Sequence, residues 1–511
     1  MVLPACSFVV VTERQRTTAR SRSPPFIIAC RPRRRILSSS SALPLSPAWK
    51  SHVSTDRDAS FALSELLRKL SSDETPQLAF LFVGPAHADQ FEIIVEKAAE
   101  KLLPTGCRLL SVVGGGVIGN GIELDEPTKP SMSIMLGRIP EGAKFEVFSF
   151  NEMNKPPPPP DSEYWRKLSG NDEAESAASY MLFADPWSPM ENIIEGLSSL
   201  PVPYSDGAVI VGGISVPVAA KPTVAIDDQP MPQGSAVGIA FQGAMGIQAC
   251  TAQGCRPVGP VYTVTAAGNN CILELDSEPA VTALESLISK SSVEEQRMLG
   301  SGLVCGIIAS TALQDNDEGQ KQQGDYLIRQ IAGFVPGKKG IVIGGSLQVG
   351  DRFRFHVRDK ATAEEDLKLM VNRVQTERMY SETSKKGTVM AALQISCVGR
   401  GQGLYGKSNV DVSKILQLVD SNKDANGSSV GCVGGFFANG EIGPVGVAGL
   451  SISAGANSGN DGSSGTHLHG FTTVVAMLCD YSTTETATKP GAFDEGSEDS
   501  SVDGGRLDAW G

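Results

Sequence analysis

Short apolar runs closed by glycine alternate along this chain with stretches whose apolar residues recur at helical spacing. Residues 77–84 (Gln-Leu-Ala-Phe-Leu-Phe-Val-Gly) predict a buried strand. Over Gln90–Leu103 the apolar positions Phe91, Ile94, Val95, Ala98, Ala99 and Leu102 share one helical face, and Pro104–Thr105–Gly106 ends the helix. Cys107–Val113 predicts a second strand, so the chain begins strand–helix–strand, the order of an α/β protein. Further strands are expected at Ser131–Gly137, Lys144–Phe150, Ala208–Val216, Gly238–Phe241 and Cys271–Leu275. In the second half they are expected at Gly340–Gly345, Arg352–Val357 and Val389–Val398. Helices are expected from Ala280–Ile288 with a polar continuation toward Met298, at Ala361–Thr376 and at Val412–Asp420. Asp359 stands where a capping aspartate would start the second of these.

The pattern also marks boundaries. Pro156–Pro160 predicts a semi-rigid surface excursion, and polar Asp315–Gly324 a loop. Ser453–Gly465 is rich in Gly, Ser and Asn and predicts a mobile loop ahead of His467; Ser482–Gly511 is acidic and predicts a disordered tail. The Gly-rich segment Val112–Glu123 echoes Cys432–Glu441, each ending in Asn-Gly with a glutamate close by. The expected fold is therefore α/β, in the sense of mixed α+β: two related lobes of mixed sheets with flanking helices, at residues 60–275 and 276–480. Residues 1–50 and 481–511 fall outside it.

Composition adds direction. Glycine contributes 55 of 511 residues and aromatics only 6%, which suits tight turns rather than a helical bundle. The first fifty residues carry eight arginines and Lys50 against Glu13 alone, a net +8, which leaves −21 for the remainder of a chain whose total is −13. So acidic a body repels phosphate backbones and argues against nucleic-acid binding. No sufficiently apolar 18-residue run is present, so no membrane span is expected. The Arg- and Ser-rich, acid-poor start matches a transit peptide; its serines favour the chloroplast stroma, with the mitochondrion as the alternative. The cysteines form no Cys-x-x-Cys pair, so zinc and thioredoxin-type chemistry are not indicated.

Five positions invite chemistry. Arg400 sits between glycines in Gly399–Arg400–Gly401, where a guanidinium is free to grip a carboxylate with a bidentate fork; a salt bridge is the plainer alternative. Glu441 follows the turn Asn439–Gly440, where it could bind an ammonium group or simply hold the turn. His467 and His469, one residue apart on a strand, share a face, but no third metal ligand stands at suitable spacing. Cys397 with His469 and Glu441 has the residue types of a Cys–His–acid nucleophile set, without a nucleophile-elbow pattern. No phosphate-binding loop and no cofactor motif is present.

With these residues the chain resembles the FIST family of paired N and C domains. The C part is carried by Asp325–Arg329, Val349–Gly350–Asp351, Phe355–Asp359, Ser396–Gly401, Gly435–Gly443 and Leu468–Thr472; the N part by Gly114–Glu123 and Val209–Val216; the join by Arg256–Gly259 and Val261–Thr265. The resemblance covers roughly residues 60–480. It implies small-ligand sensing in signal transduction, with amino acids as the proposed ligand class, and no established reaction or site residues. Some plant relatives carry an F-box; no F-box pattern or output domain is recognised here, so ubiquitin-ligase and transmembrane-signalling roles are not expected. The expected function is a stand-alone sensor binding a small molecule through Arg400, Asn439, Glu441 and His469. The alternatives are a Cys397-dependent enzyme and a protein-interaction scaffold using the polyproline tract and acidic tail.

Overall fold

The computed structural model describes residues 49–69, 75–151, 163, 165, 167, 179–200, 208–268, 270–308, 326–335, 337, 339–345, 347–380, 387–420, 432–445, 447–448 and 465–482. The basic leader up to residue 48, the polyproline tract, the polar loop at 315–324, most of the Gly/Ser tract and the acidic tail beyond 482 lie outside the described residues. The fold is mixed α+β, with several mixed sheets and flanking helices.

One motif recurs three times. In the first unit the strand Leu78–Val83 leads through the helix Phe91–Leu102 into Arg108–Val113, which pairs parallel with it. A hairpin follows (Val117–Gly119 and Ile122–Leu124), then Met132–Gly137 returns antiparallel to the first strand. The second unit repeats this with Ser179–Ala184, helix Met190–Ser198, Val209–Ile214, a hairpin at Val224–Ile226 and Gln229–Pro230, and Ala236–Gly243. The third has Thr388–Cys397, helix Val410–Asp420, Cys432–Ala438, the pair Gly440–Pro444 and Thr466–His469, and Thr472–Asp480.

Each unit lends its hairpin to another unit's sheet. The first unit's Val117–Gly119 pairs with Cys432–Ala438 of the third. The third unit's Gly440–Pro444 pairs with Val209–Ile214 of the second, and the second unit's Val224–Ile226 with Arg108–Val113 of the first. Three backbone hydrogen bonds close the cycle: Gly115 N–H to Phe437 O at 2.8 Å, Asn439 N–H to Ile214 O at 2.8 Å, and Val216 N–H to Val113 O at 3.1 Å. The sequence suggested two related lobes; the structure instead holds three copies of one unit and a barrel between the second and third. The register of the repeat differs from the glycine match, because these bonds align Val113 with Phe437, four positions away from the pairing by Gly-Gly runs.

Alternation along each strand explains the packing. One face of all three sheets meets in a common core that includes Phe82, Phe183, Ile395 and Phe436. Phe436 stacks on Phe82 at 5.7 Å between centroids and meets Phe183 edge-on at 5.6 Å, a geometry that aromatic pairs favour. The opposite faces are covered by helices: Ala59–Arg68 and Phe91–Leu102 on the first sheet, Met190–Ser198 on the second, Lys360–Tyr380 and Val410–Asp420 on the third.

Between the strand Met245–Gln253, which flanks the third sheet, and Thr388 the chain builds a separate barrel. Its strands Cys255–Gly268, Arg352–Arg358, Leu303–Ile308, Leu327–Val335, Gly340–Ile343 and Cys271–Leu275 pair in that order, and the last pairs with the first. The helices Ala280–Lys290 and Val293–Gly302 pack their apolar residues with it. The single long helix anticipated toward Met298 is broken there, because Ser292 caps a new helix through a reciprocal box with Glu295. Asp359 caps Lys360–Tyr380 by accepting the Thr362 N–H at 3.1 Å.

Candidate functional site

The residues singled out for chemistry gather at the carboxyl ends of the parallel strands Thr388–Cys397 and Cys432–Ala438, facing the barrel. Such strand ends are where open α/β sheets place ligands. The turn after Cys397 is held by Val398 N–H to Ala438 O at 2.9 Å and Arg400 N–H to Cys397 O at 2.8 Å. The barrel grips the same edge. Arg358 donates to Gly399 O and lies 5.4 Å above the Phe471 ring, and Arg329 Nη1 donates to Leu468 O at 2.6 Å. Phe471 has φ of 63°, in the left-handed region that a bulky residue rarely enters, and such strain concentrates at functional sites.

Arg400 is 2% exposed and ion-paired. Its Nε lies 2.7 Å from Asp411 Oδ2, and Nη2 donates to Asp411 Oδ1 at 3.1 Å and to Tyr405 Oη at 2.6 Å. Tyr405 in turn donates to Asp411 Oδ1 at 2.7 Å. Burial opposes the guanidinium charge, but Asp411 and Tyr405 more than offset it, so the pKa of Arg400 is raised. The fork expected to seize a carboxylate therefore holds Asp411 of its own chain. Nη1 is left without a partner among the described residues, and a Cβ placed on Gly254 would lie 3.0 Å from it.

Glu441 is fully buried. Its Oε2 accepts the Thr472 N–H at 3.2 Å and the Thr472 hydroxyl at 2.8 Å, while Oε1 has no partner among the described residues. Burial pushes its carboxyl up to about 8, against the pull of Thr472 and of the Arg400 charge, which reaches it. His469 stands directly opposite Glu441 in the strand register. Its Nε2 lies 3.0 Å from Gly443 O, and since a carbonyl only accepts, Nε2 carries the hydrogen and Nδ1 is a bare lone pair. Burial drives His469 down to about 3, so the ring is neutral.

The remaining candidates fall around this pair. Cys397 is buried, and burial with the nearby Glu441 charge pushes its thiol up to about 12, so it stays protonated at neutral pH, the opposite of an activated nucleophile. Asn439 is exposed and contributes its backbone N–H to the ring of three bonds. His467 meets His469 edge-on at 6.3 Å. Among the described residues no group of three His, Cys, Asp or Glu side chains is placed to hold a metal ion. Among them, too, no helix is long and apolar enough to cross a membrane.

Four neighbours escaped the sequence. Asp411 sits in the first turn of a helix, where an acid needs no further reason. Tyr405 and Gln253 stand in no motif. Glu123 lay within the echoed segment, yet its environment comes from the third unit. Its Oε1 accepts from Gln394 Nε2 and from Val412 N–H, both at 2.9 Å. Glu123 Oε2 and Gln394 Oε1 lack partners among the described residues.

Burial, with the Asp411 charge, pushes Glu123 up to about 7 from 4.5. The folded chain thus keeps a proton that the unfolded chain loses, and this stabilisation, complete below pH 4.5, is lost as pH rises through 7. At about 1.4 kcal/mol per unit the change is about 3 kcal/mol. Urea unfolding of Glu123→Gln, which mimics the neutral acid, should show a shallower decline between pH 4.5 and 7 than the parent. Identical slopes would contradict this.

The chain matches the FIST N domain over residues 77–278 and the FIST C domain over residues 280–444. The two meet at Pro279, just before the helix that begins at Ala280. It is similar to an uncharacterized protein of Mycobacterium tuberculosis (strain ATCC 25618 / H37Rv), 29% identical over 440 residues, covering 84% of this chain and 98% of the relative. An uncharacterized protein of Mycobacterium bovis (strain ATCC BAA-935 / AF2122/97) is 27% identical over 426 residues, covering 83% and 96%. FIST domains are small-ligand sensing domains of signal transduction. With both domains present, in order and paired, the chain belongs to the FIST family.

Proposed function

We propose that this chain is a sensory protein that binds a small zwitterion, an amino acid by class, between the turn that carries Arg400 and the strand that carries Glu441. One observation supports this above the others. Two buried groups that can carry opposite charge each keep one unpaired atom: Arg400 Nη1, a donor, and Glu441 Oε1, which becomes an acceptor when the carboxyl ionises. A buried polar atom without a partner is costly, and a ligand that met both would recover that cost. Arg400 Nη1 would receive the ligand carboxylate and Glu441 the ammonium. His469 would add a hydrogen bond, and exposed Asn439 would contribute from the rim.

Thermal-shift screening against the twenty L-amino acids tests the proposal. At about a hundredfold excess over Kd, binding stabilises by about 2.7 kcal/mol, a rise of a few degrees in Tm. Glu441→Gln keeps the side-chain shape but not the charge and should abolish the rise. Since burial holds Glu441 near 8, binding an ammonium at pH 7 should release a proton, and affinity should increase with pH up to about 8. Flat melting curves across the set, or equal shifts with Glu441→Gln, would count against the proposal.

The Arg- and Ser-rich leader supports delivery to the chloroplast stroma, with the mitochondrion as the alternative. Sequencing the amino terminus of the protein recovered from chloroplasts should find the leader removed; an intact Met1 there would oppose this.

A further inference from the structure

Glu441, His469 and Gln253 are brought together by strand register. Glu441 and His469 are directly opposite in an antiparallel pair, so they share a face with Cβ atoms about 4.5–5.5 Å apart. Gln253 is directly opposite Thr472, the residue that holds Glu441 Oε2. Gly254 then turns the chain past Arg400 Nη1: a Cβ there would lie 3.0 Å from that atom and 3.4 Å from Phe471 O. Gln253 is 6% exposed, His469 3% and Glu441 0%.

Each of the three has one atom without a partner among the described residues, and each of these atoms is an acceptor once Glu441 gives up its proton. Gln253 Nε2 donates to Tyr326 O at 2.7 Å, which fixes the amide and leaves Oε1 unused. His469 offers Nδ1, because its other nitrogen carries the hydrogen, and Glu441 offers Oε1. A primary ammonium group has three N–H donors and no acceptor.

On the reading that the site binds an amino acid, we infer that Glu441 Oε1, Gln253 Oε1 and His469 Nδ1 form a three-acceptor seat for a primary ammonium group, and that the seat rejects N-alkylated amines. A secondary ammonium brings only two N–H groups, so one buried acceptor stays unmet. Sites built to hydrogen-bond a donor discriminate strongly against analogues that lack it. Gln253 thereby becomes a specificity residue, and the neutral state of His469 acquires a purpose: the protonated ring would present a donor where an acceptor is needed.

Calorimetric titration of the full chain with L-alanine, N-methyl-L-alanine, L-proline and propionate tests this. L-Alanine should bind at least about tenfold more tightly than N-methyl-L-alanine or L-proline, which is about 1.4 kcal/mol, and propionate should bind more weakly still. Gln253→Met should weaken L-alanine about tenfold and narrow its margin over N-methyl-L-alanine, whereas Gln253→Glu, which as the protonated acid can still donate to Tyr326 O and keep its other oxygen as an acceptor, should preserve that margin. Thermal melting confirms that both variants fold. Equal affinity for L-alanine and N-methyl-L-alanine would overturn the seat while leaving the amino-acid site in place. Propionate binding as tightly as L-alanine would overturn the seat and leave only a carboxylate site. Silence from all four, with silence across the twenty amino acids as well, would overturn the site itself.

Discussion

Gly435→Ala is expected to destabilise the chain by more than about 4 kcal/mol, read as a fall in the urea midpoint. Gly435 has φ of +146°, and a Cβ there would lie 1.9 Å from Gln394 O and 2.8 Å from its carbonyl carbon. Those atoms belong to the neighbouring strand, where Gln394 is the register partner of Gly435, so no side-chain rotation can make room. Gly212 occupies the matching place in the second unit, with Leu182 O 1.9 Å from its Cβ position and Leu182 as its register partner. Gly212→Ala should therefore be comparably severe. Gly403, whose Cβ position has nothing within 4 Å, gives the contrast: Gly403→Ala should stay within about 0.5 kcal/mol. Mild effects at both Gly435 and Gly212 would contradict the repeat as described.

Arg400→Met should cost about 3–5 kcal/mol, because it leaves Asp411 buried with its charge unmet. Asp411 is 1% exposed, and its other side-chain partner among the described residues, the Tyr405 hydroxyl, is neutral. Restoring an uncharged balance separates this effect from lost packing. In the double variant Arg400→Met/Asp411→Leu most of the loss should return, since a buried pair exchanged for apolar residues is often neutral in stability. Equilibrium unfolding of the two variants and the parent checks this, and a double variant no more stable than Arg400→Met would contradict it. The same argument shows why Arg400 variants are poor probes of ligand binding. The fork that could hold a carboxylate also holds the fold, so Glu441→Gln is the cleaner functional variant.

Much of the local structure was legible in the sequence. Apolar runs such as Leu78–Val83 and residues 389–393 are buried along their whole length, and that is what an unbroken run of hydrophobic residues demands. The helix at Phe91–Leu102 follows its apolar stripe. Sheet membership was not legible, because the exchange of hairpins joins residues hundreds of positions apart. The pairing of Val117 with Phe436 has no local signal. For the same reason a comparison of Gly-rich runs aligned the repeat out of register. Glycines mark a close approach or an unusual φ, and Gly114–Gly116 and Gly434–Gly435 meet different neighbours.

The site divides along the same line. Glu441, His469 and Arg400 stood out because charged or imidazole groups flanked tight turns. Asp411 and Glu123 did not, because a carboxylate gains meaning only from what surrounds it, and here those surroundings are assembled from the first and third units. Gln253 illustrates the limit. It ends an uncharged strand that also carries Gln248, and the sequence offers no reason to prefer one amide over the other.

A crystal structure of the chain grown with the amino acid that raises its melting temperature most tests the central claim directly. The ligand carboxylate should lie within hydrogen-bond distance of Arg400 Nη1 and its ammonium within hydrogen-bond distance of Glu441 Oε1. An amino acid bound elsewhere, with those two atoms meeting only each other or water, would contradict it.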